Sequence, residues 1–442
     1  MRVDPRVRLP RWVSLICVAL VLGLVLGLYA IAGKTMTEHP GKGDFLTFYL
    51  SSVRLRHAAP VYWSAPDAKS FATECANPGY VLDPSLTTVR RGQDLVRVAP
   101  CRHPNLNPPF FVALTAPLAY LDYPYAWWIW AGFSLGSAFW SIQVIRREGF
   151  MPDVAPLSGL MLLAGYFIYY PTLVCLVFGQ VTFLVMLPMT LGWRALRHCR
   201  DGTAGAWFGL AAGMKPFVGL FLLGLVVQKN WRAFWVLLLV VGLSGVFGTA
   251  VLGFDANVDY LDYLARVDWL AASWNGSLPG FFSRFFGGSL NQPWIDAPVL
   301  ARALTLATSL IVLVFYGQIL AQAHRLPREQ DADIFLAATI PAMLLLSPLG
   351  WMYYFPMLVF SVLALWRNRF AFAQQRLFYW GFGVIIGLSG IPTELVPSTG
   401  MNEPLLWFGT AGIYFYTLVI ALLMTRAMVR RLAGQVTVNS GH

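Results

Sequence analysis

Apolar residues in this chain come in long blocks with few polar interruptions, unlike the one-face or alternating patterns of soluble elements. The first block is Trp12–Gly33, about 22 residues, where roughly 20 suffice for a helix to cross a bilayer. From Asn107 eleven more follow: Pro108–Leu121, Tyr125–Ile145, Leu157–Phe178, Val181–Leu196, Ala204–Val227, Trp231–Leu252, Val299–Gln322, Ile334–Leu346, Met352–Trp366, Leu377–Gly390 and Leu405–Met424. Two are imperfect. Pro108–Leu121 is short for a span, and Ala204–Val227 is interrupted at Lys215-Pro216. The pattern predicts an all-α polytopic membrane protein with 10–12 transmembrane segments, folded as a single integral membrane domain over residues 1–442.

Two polar stretches, 34–108 and 253–298, are long enough to carry structure of their own. In the first, Asp44 to His57 reads as an interfacial helix. Phe45, Leu46, Phe48, Tyr49, Val53 and Leu55 form its apolar side, and Asp44, Thr47, Ser51 and Arg54 its polar stripe. In the second, Asp255, Asp259 and Asp262 interleave with Tyr260, Leu261, Tyr263 and Leu264, which predicts a second amphipathic surface helix.

Composition agrees. The 442 residues are 57% hydrophobic and 12% charged, against roughly 25% charged in soluble domains. The net charge of +11 would suggest nucleic acid for a soluble chain. Here retained Lys and Arg of cytoplasmic loops explain it, so no nucleic-acid partner is expected. Arg2, Arg6, Arg8 and Arg11 precede the first block, which has no A-x-A-like cleavage site, so it reads as a retained helix with a cytoplasmic N-terminus. If the two imperfect blocks are re-entrant and ten segments span, most of the 32 Lys and Arg fall on the cytoplasmic side. If all twelve span, that bias vanishes. Both arrangements place both termini in the cytoplasm.

Candidate chemistry is sparse. Lys215 is a cation inside an apolar block, flanked by Gly209, Gly213 and Pro216, where a broken helix offers free backbone N–H groups to a phosphate. It could equally snorkel to an interface. Asp44, after Gly43 at a helix start, fits an N-cap, and an ionised carboxylate there can also accept a hydroxyl proton. Asp331-Ala332-Asp333 matches D-x-D but lies among Arg325 and Arg328, which reads as a solvated loop. Cys75 and Cys101 share the first outer loop, as a disulfide or as two free thiols. Asn275-Gly276-Ser277 fits a glycosylation sequon. No G-x-G-x-x-G opens a βαβ unit, and there is no Walker motif or His/Cys metal cluster. In the ten-span arrangement Asp44, Asn107, Gln180, Lys215, Asn275, Arg284 and Trp351 all fall at the outer face.

The order of motifs resembles glycosyltransferase family 87, the polyprenol-phosphate-mannose-dependent mannosyltransferases of GT-C architecture. Gly43-Asp44-Phe45 is followed by Asn107-Pro108-Pro109-Phe110, Phe178-Gly179-Gln180-Val181 and Gly209 to Pro216. Asn275-Gly276-Ser277-Leu278 and Ser347-Pro348-Leu349-Gly350-Trp351 complete the series. The resemblance implies an inverting single displacement at the extracytoplasmic face, with a polyprenyl-phosphate sugar (mannose by family default) as donor and a glycolipid or glycan as acceptor. It implies an integral protein of a bacterial inner membrane, in contact with membrane lipid, and needing no cofactor and no metal. Asp44 maps onto the family's general base. Lys215 and Arg284 are candidates for the donor phosphate. Tyr49, Asn107, Gln180, Asn275, Trp351 and Tyr354 are candidates for substrate contact. Tyr353-Tyr354 stand where the family often has a histidine. The competing readings are a transporter or flippase for a lipid-linked sugar, and a membrane scaffold.

Overall fold

A computed structural model describes residues 11–39, 43–62, 88–91, 94–97, 105–149, 163–265, 267, 269–289, 293–396 and 411–439. In chain order its helices are α1 (Arg11–Glu38), α2 (Phe45–Arg56), α3 (Pro109–Thr115), α4 (Tyr123–Arg147), α5 (Tyr170–Val177), α6 (Thr182–Arg197), α7 (Asp201–Met214), α8 (Leu220–Val227) and α9 (Trp231–Leu252). They continue as α10 (Asp255–Ala265), α11 (Leu278–Phe286), α12 (Pro298–Ala323), α13 (Arg328–Leu346), α14 (Val359–Arg367), α15 (Gln375–Ser389) and α16 (Ile413–Asn439). Short 3-10 turns extend several of them. Among the described residues one antiparallel hairpin, β1 (Thr88–Arg91) with β2 (Asp94–Arg97), sits in the polar stretch 34–108. This is an all-α polytopic membrane protein.

Three stretches are long and apolar enough to cross a membrane by length and composition: α9, α12 and Ile413–Gln435 of α16. The pair α5 and α6 makes a fourth, bent by 118°. With 28 and 25 residues, α1 and α4 are also of spanning length. Much of the remaining apolar sequence is cut into shorter helices, Pro109–Tyr120, Pro216–Val227 and Met352–Arg367. Prolines account for these cuts. Pro109 and Pro216 can only open a helix, and Pro356 removes a backbone donor inside Met352–Leu358. Both blocks expected to be incomplete, Pro108–Leu121 and Ala204–Val227, are of this broken kind.

One apolar core runs from α1 to α16. Its tightest joint is between α7 and α9. A Cβ on Gly205 would fall 2.2 Å from the Ala233 carbonyl oxygen, and one on Gly209 2.7 Å from Val240 Cβ. Glycines at this four-residue spacing let two apolar helices approach backbone to backbone. The joint fixes where α7 ends, and therefore where Lys215 stands.

Two expectations are corrected. The helix at Phe45–Arg56 does not turn its polar stripe to water: Phe45 through Val53 are all buried, Thr47 and Ser51 of the stripe included. The stripe is bonded inside the protein, as where Ser51 Oγ accepts from Asn105 Nδ2 at 3.0 Å, and the neighbouring Ser52 Oγ bonds Thr115 Oγ1 at 3.0 Å. Asp331 and Asp333 are likewise not in a solvated loop. They occupy the first turns of α13, buried. Helix α10 fits its amphipathic expectation, with only Tyr260 and Tyr263 buried. Cys75 and Cys101 lie outside the described residues.

Candidate active site

The bend between α5 and α6 is built by Phe178-Gly179-Gln180. Gly179 has φ +70°, and a Cβ there would meet Phe45 Cβ at 2.7 Å, so glycine is needed for both conformation and clearance. Trp130 Nε1 donates to the Gly179 carbonyl at 2.7 Å, and the Phe45 N–H donates to the Phe178 carbonyl at 3.1 Å. These bonds lock the bend against the head of α2. They also place Gln180 so that its Nε2 donates to Asp44 Oδ2.

Asp44 therefore does not act as a helix cap. It precedes α2 in an αR conformation and makes no side-chain capping bond. The carboxylate faces a cavity whose polar wall is Asp44, Asn107, Gln180, Lys215 and Trp351. Thr47, Phe48, Leu106 and Trp269 complete the lining. Five residues far apart in sequence thus meet at one place.

Lys215 arrives because α7 ends there. The residue is extended (φ −143°, ψ 108°), as a residue before proline must be. It is only 7% exposed. Its Nζ reaches the Leu106 carbonyl at a long 3.4 Å, and lies 5.9 Å from the centre of the Tyr354 ring. An ammonium has three donors, so this is thin satisfaction for a buried cation.

Asn107 is held by a relay that chain position alone would not suggest. Asn105 Oδ1 accepts from the Asn107 backbone N–H at 3.0 Å and from Asn107 Nδ2 at 2.8 Å, while Asn105 Nδ2 donates to Ser51 Oγ at 3.0 Å. The backbone N–H can only donate, so Asn105 cannot flip, and Asn107 must turn its own Oδ1 the other way. Among the described residues that Oδ1 is buried without a partner, and so is Trp351 Nε1. Buried polar atoms are normally bonded, so an acceptor and a donor left over on residues of one cavity mark a place for a polar ligand.

The other candidates fall outside the cavity lining. Asn275 forms a bridge with Trp351, and its Nδ2 donates to the Leu270 and Pro348 carbonyls, each at 2.9 Å. It shapes the loop that carries Trp351, and as a fully buried side chain it is no glycosylation acceptor. Arg284 Nη1 donates to the Ala272 and Asn275 carbonyls at 2.8 and 2.9 Å, holding the segment that carries Asn275. Tyr49 donates to the Leu121 carbonyl at 2.7 Å and packs edge-on against Tyr123. Tyr354 is buried between Phe217 and Lys215. Of the residues missed by sequence reasoning, Asn105 is the clearest; only its spacing of two from Asn107 could have drawn attention.

The profile of glycosyltransferase family 87 matches residues 105–348, more than half of the chain. The chain belongs to glycosyltransferase family 87. It is a membrane glycosyltransferase, and its reaction joins a sugar from a donor to an acceptor. No curated protein and no solved structure matches it. Asn107, Gln180 and Lys215 lie within the matched residues. Asp44 and Trp351 lie outside them, and the fold brings both to the same cavity.

Proposed function

We propose that this glycosyltransferase moves a hexose, mannose by family default, from a polyprenyl-phosphate donor to a glycolipid or glycan acceptor. The reaction takes place at the extracytoplasmic face of a bacterial inner membrane, with both termini cytoplasmic. The observation that carries the reading is a carboxylate and a buried ammonium, Asp44 and Lys215, on one cavity that also holds unsatisfied polar atoms. The acceptor hydroxyl attacks the anomeric carbon from the side opposite the phosphate. As the new C–O bond forms, its proton passes to Asp44, and the bond from the anomeric carbon to the phosphate oxygen breaks. The electron pair leaves with polyprenyl phosphate, and configuration inverts.

Lys215 meets the charge that develops on the leaving phosphate, an electrostatic role that is strongest in a buried site. The proposal assigns no metal or cofactor to this step. It leaves Arg284 out of the phosphate contact, because Nη1 is engaged by two backbone carbonyls. Gln180 aims the Asp44 carboxylate. Asn107 Oδ1 and Trp351 Nε1 bind sugar hydroxyls, which donate and accept alike.

The test is transfer from a labelled polyprenyl-phosphate sugar to a panel of lipid and glycan acceptors by the purified enzyme. Product made by wild type and lost in Asp44→Asn supports the reading. Equal product from both removes Asp44 from the chemistry. Movement of the intact donor across vesicles without transfer points instead to a flippase.

A further inference from the structure

Helix α16 carries an arginine well inside a stretch of spanning length. Arg426 stands 13 residues after Ile413, about 20 Å along the axis at 1.5 Å per residue, within the apolar stretch Ile413–Gln435. An ionised side chain at membrane depth is costly and by default has a partner. Among the described residues Arg426 has no ion pair or hydrogen bond, and its Nε is enclosed and unsatisfied. Its guanidinium lies over the Phe315 ring, 3.9 Å from the centroid. The side chain is half-buried, with its guanidinium turned toward α12.

The guanidinium lines a groove along α12. Leu310, Ile311 and Val314 form the apolar wall, and Gln318 stands one turn further along α12. Those three apolar side chains are 60%, 64% and 57% exposed, so none of the described residues covers them. Arg430 and Arg431 follow one turn beyond Arg426 and are exposed. An apolar channel beside a cation that has no ion pair among the described residues, with more cations just past it, complements an acyl chain ending in an anionic headgroup. Basic pockets between transmembrane helices take such lipids.

We propose that this groove is a binding site for an anionic glycerophospholipid. Its phosphate bonds the Arg426 guanidinium, and an acyl chain lies along Leu310, Ile311 and Val314. The site is separate from the sugar cavity. Helix α12 turns into α13 at Arg328, whereas Trp351 follows the other end of α13, about 28 Å away for 19 residues. Phe315 lies 8 residues, about 12 Å, from the α12–α13 turn. The inference therefore stands whether or not the donor is a polyprenyl phosphate.

The experiment uses the full-length protein in neutral detergent, titrated with phosphatidylglycerol or phosphatidylcholine of the same chains. Binding is read by native mass spectrometry and by the thermal unfolding midpoint. Wild type is expected to prefer phosphatidylglycerol, and Arg426→Gln to lose that preference by about tenfold or more in apparent affinity, as when a bond to a charged group is removed. Val314→Trp fills the groove from an exposed position without touching the core or the charge, and is expected to lose the same preference. It gives the answer even where Arg426→Gln fails to fold. An undiminished preference in either variant overturns the site. So does an equal loss in Arg430→Gln, which would show diffuse charge attraction instead of a site.

Discussion

The two ends of helix α13 treat buried charge in opposite ways. At its start the cluster is densely ion-paired, and Arg197 Nε alone of its side-chain atoms is enclosed without a hydrogen bond among the described residues. Asp333 Oδ1 accepts from Arg197 at 2.6 Å and Trp193 at 3.0 Å, and Arg197 also reaches Glu329 at 2.9 Å and the Glu148 carbonyl at 3.1 Å. Asp331 is bonded by Gln228 at 2.5 Å and His324 at 3.3 Å, and Asp201 by Arg328 and by Asn230 at 2.8 Å. Past the other end lies the Asp44 cavity, where Lys215 has one long bond and Asn107 and Trp351 each leave an atom without a partner. Burial of charge alone therefore does not locate a site in this protein. Both ends bury it; at the start of α13 acid is matched to base, whereas the cavity leaves a thinly bonded ammonium and polar atoms that line a space a ligand can enter.

That contrast can be broken from either side. The largest effect is expected at the cavity: Asp44→Asn should lower the transfer rate by about 10²–10⁴-fold, the range for a general base. Donor binding, measured separately, should persist. Next comes the ion-paired end. Arg197→Ala leaves Asp333 buried without its main partner and should cost about 3–5 kcal/mol of stability. It would be read as a lower unfolding midpoint in detergent, with specific activity of the surviving folded enzyme unchanged. An activity loss exceeding the folded fraction would mean that this cluster takes part in the chemistry.

Lys215→Ala should weaken polyprenyl-phosphate binding by about 10–150-fold, the equivalent of about 1.5–3 kcal/mol for a bond to a charged group. The same variant should unfold no more readily than wild type, because it removes a poorly satisfied buried cation. Unchanged affinity would end its phosphate role. Smallest is Arg194→Ala. Arg194 is bonded to Glu148 at 2.8 Å but its side chain is 54% exposed, and exposed pairs contribute about 0–1 kcal/mol. A cost as large as that of Arg197→Ala would show that the cluster acts as one network, with solvent exposure no guide to its members.

The helical blocks were legible because hydropathy is a local property, summed over neighbours. The break at Lys215-Pro216 was legible for the same reason: a proline acts on the residue beside it. The burial of α2 was not, because amphipathicity shows which faces differ and is silent about what covers them. Ser51 and Ser52 are polar yet buried, since their partners Asn105 and Thr115 lie more than 50 positions along the chain. Asp331 and Asp333 were misread on the same account. Their basic neighbours in sequence suggested water, while the partner that keeps Asp333 buried, Arg197, comes from the end of α6. Asp44, Gln180 and Lys215 could be picked out singly from their motifs; that they share one cavity depends on the bend at Gly179.

That bend has a mechanical consequence. The peptide at Gly179 is clasped by Trp130 on one side and passes Phe45 on the other with no room for a methyl group. The direction of the Asp44 carboxylate is thus geared to the seating of α2 against α4 through a single peptide unit. Alignment of the reacting group and compaction of the helices are one adjustment in this enzyme, and neither can be retuned while the other is left alone.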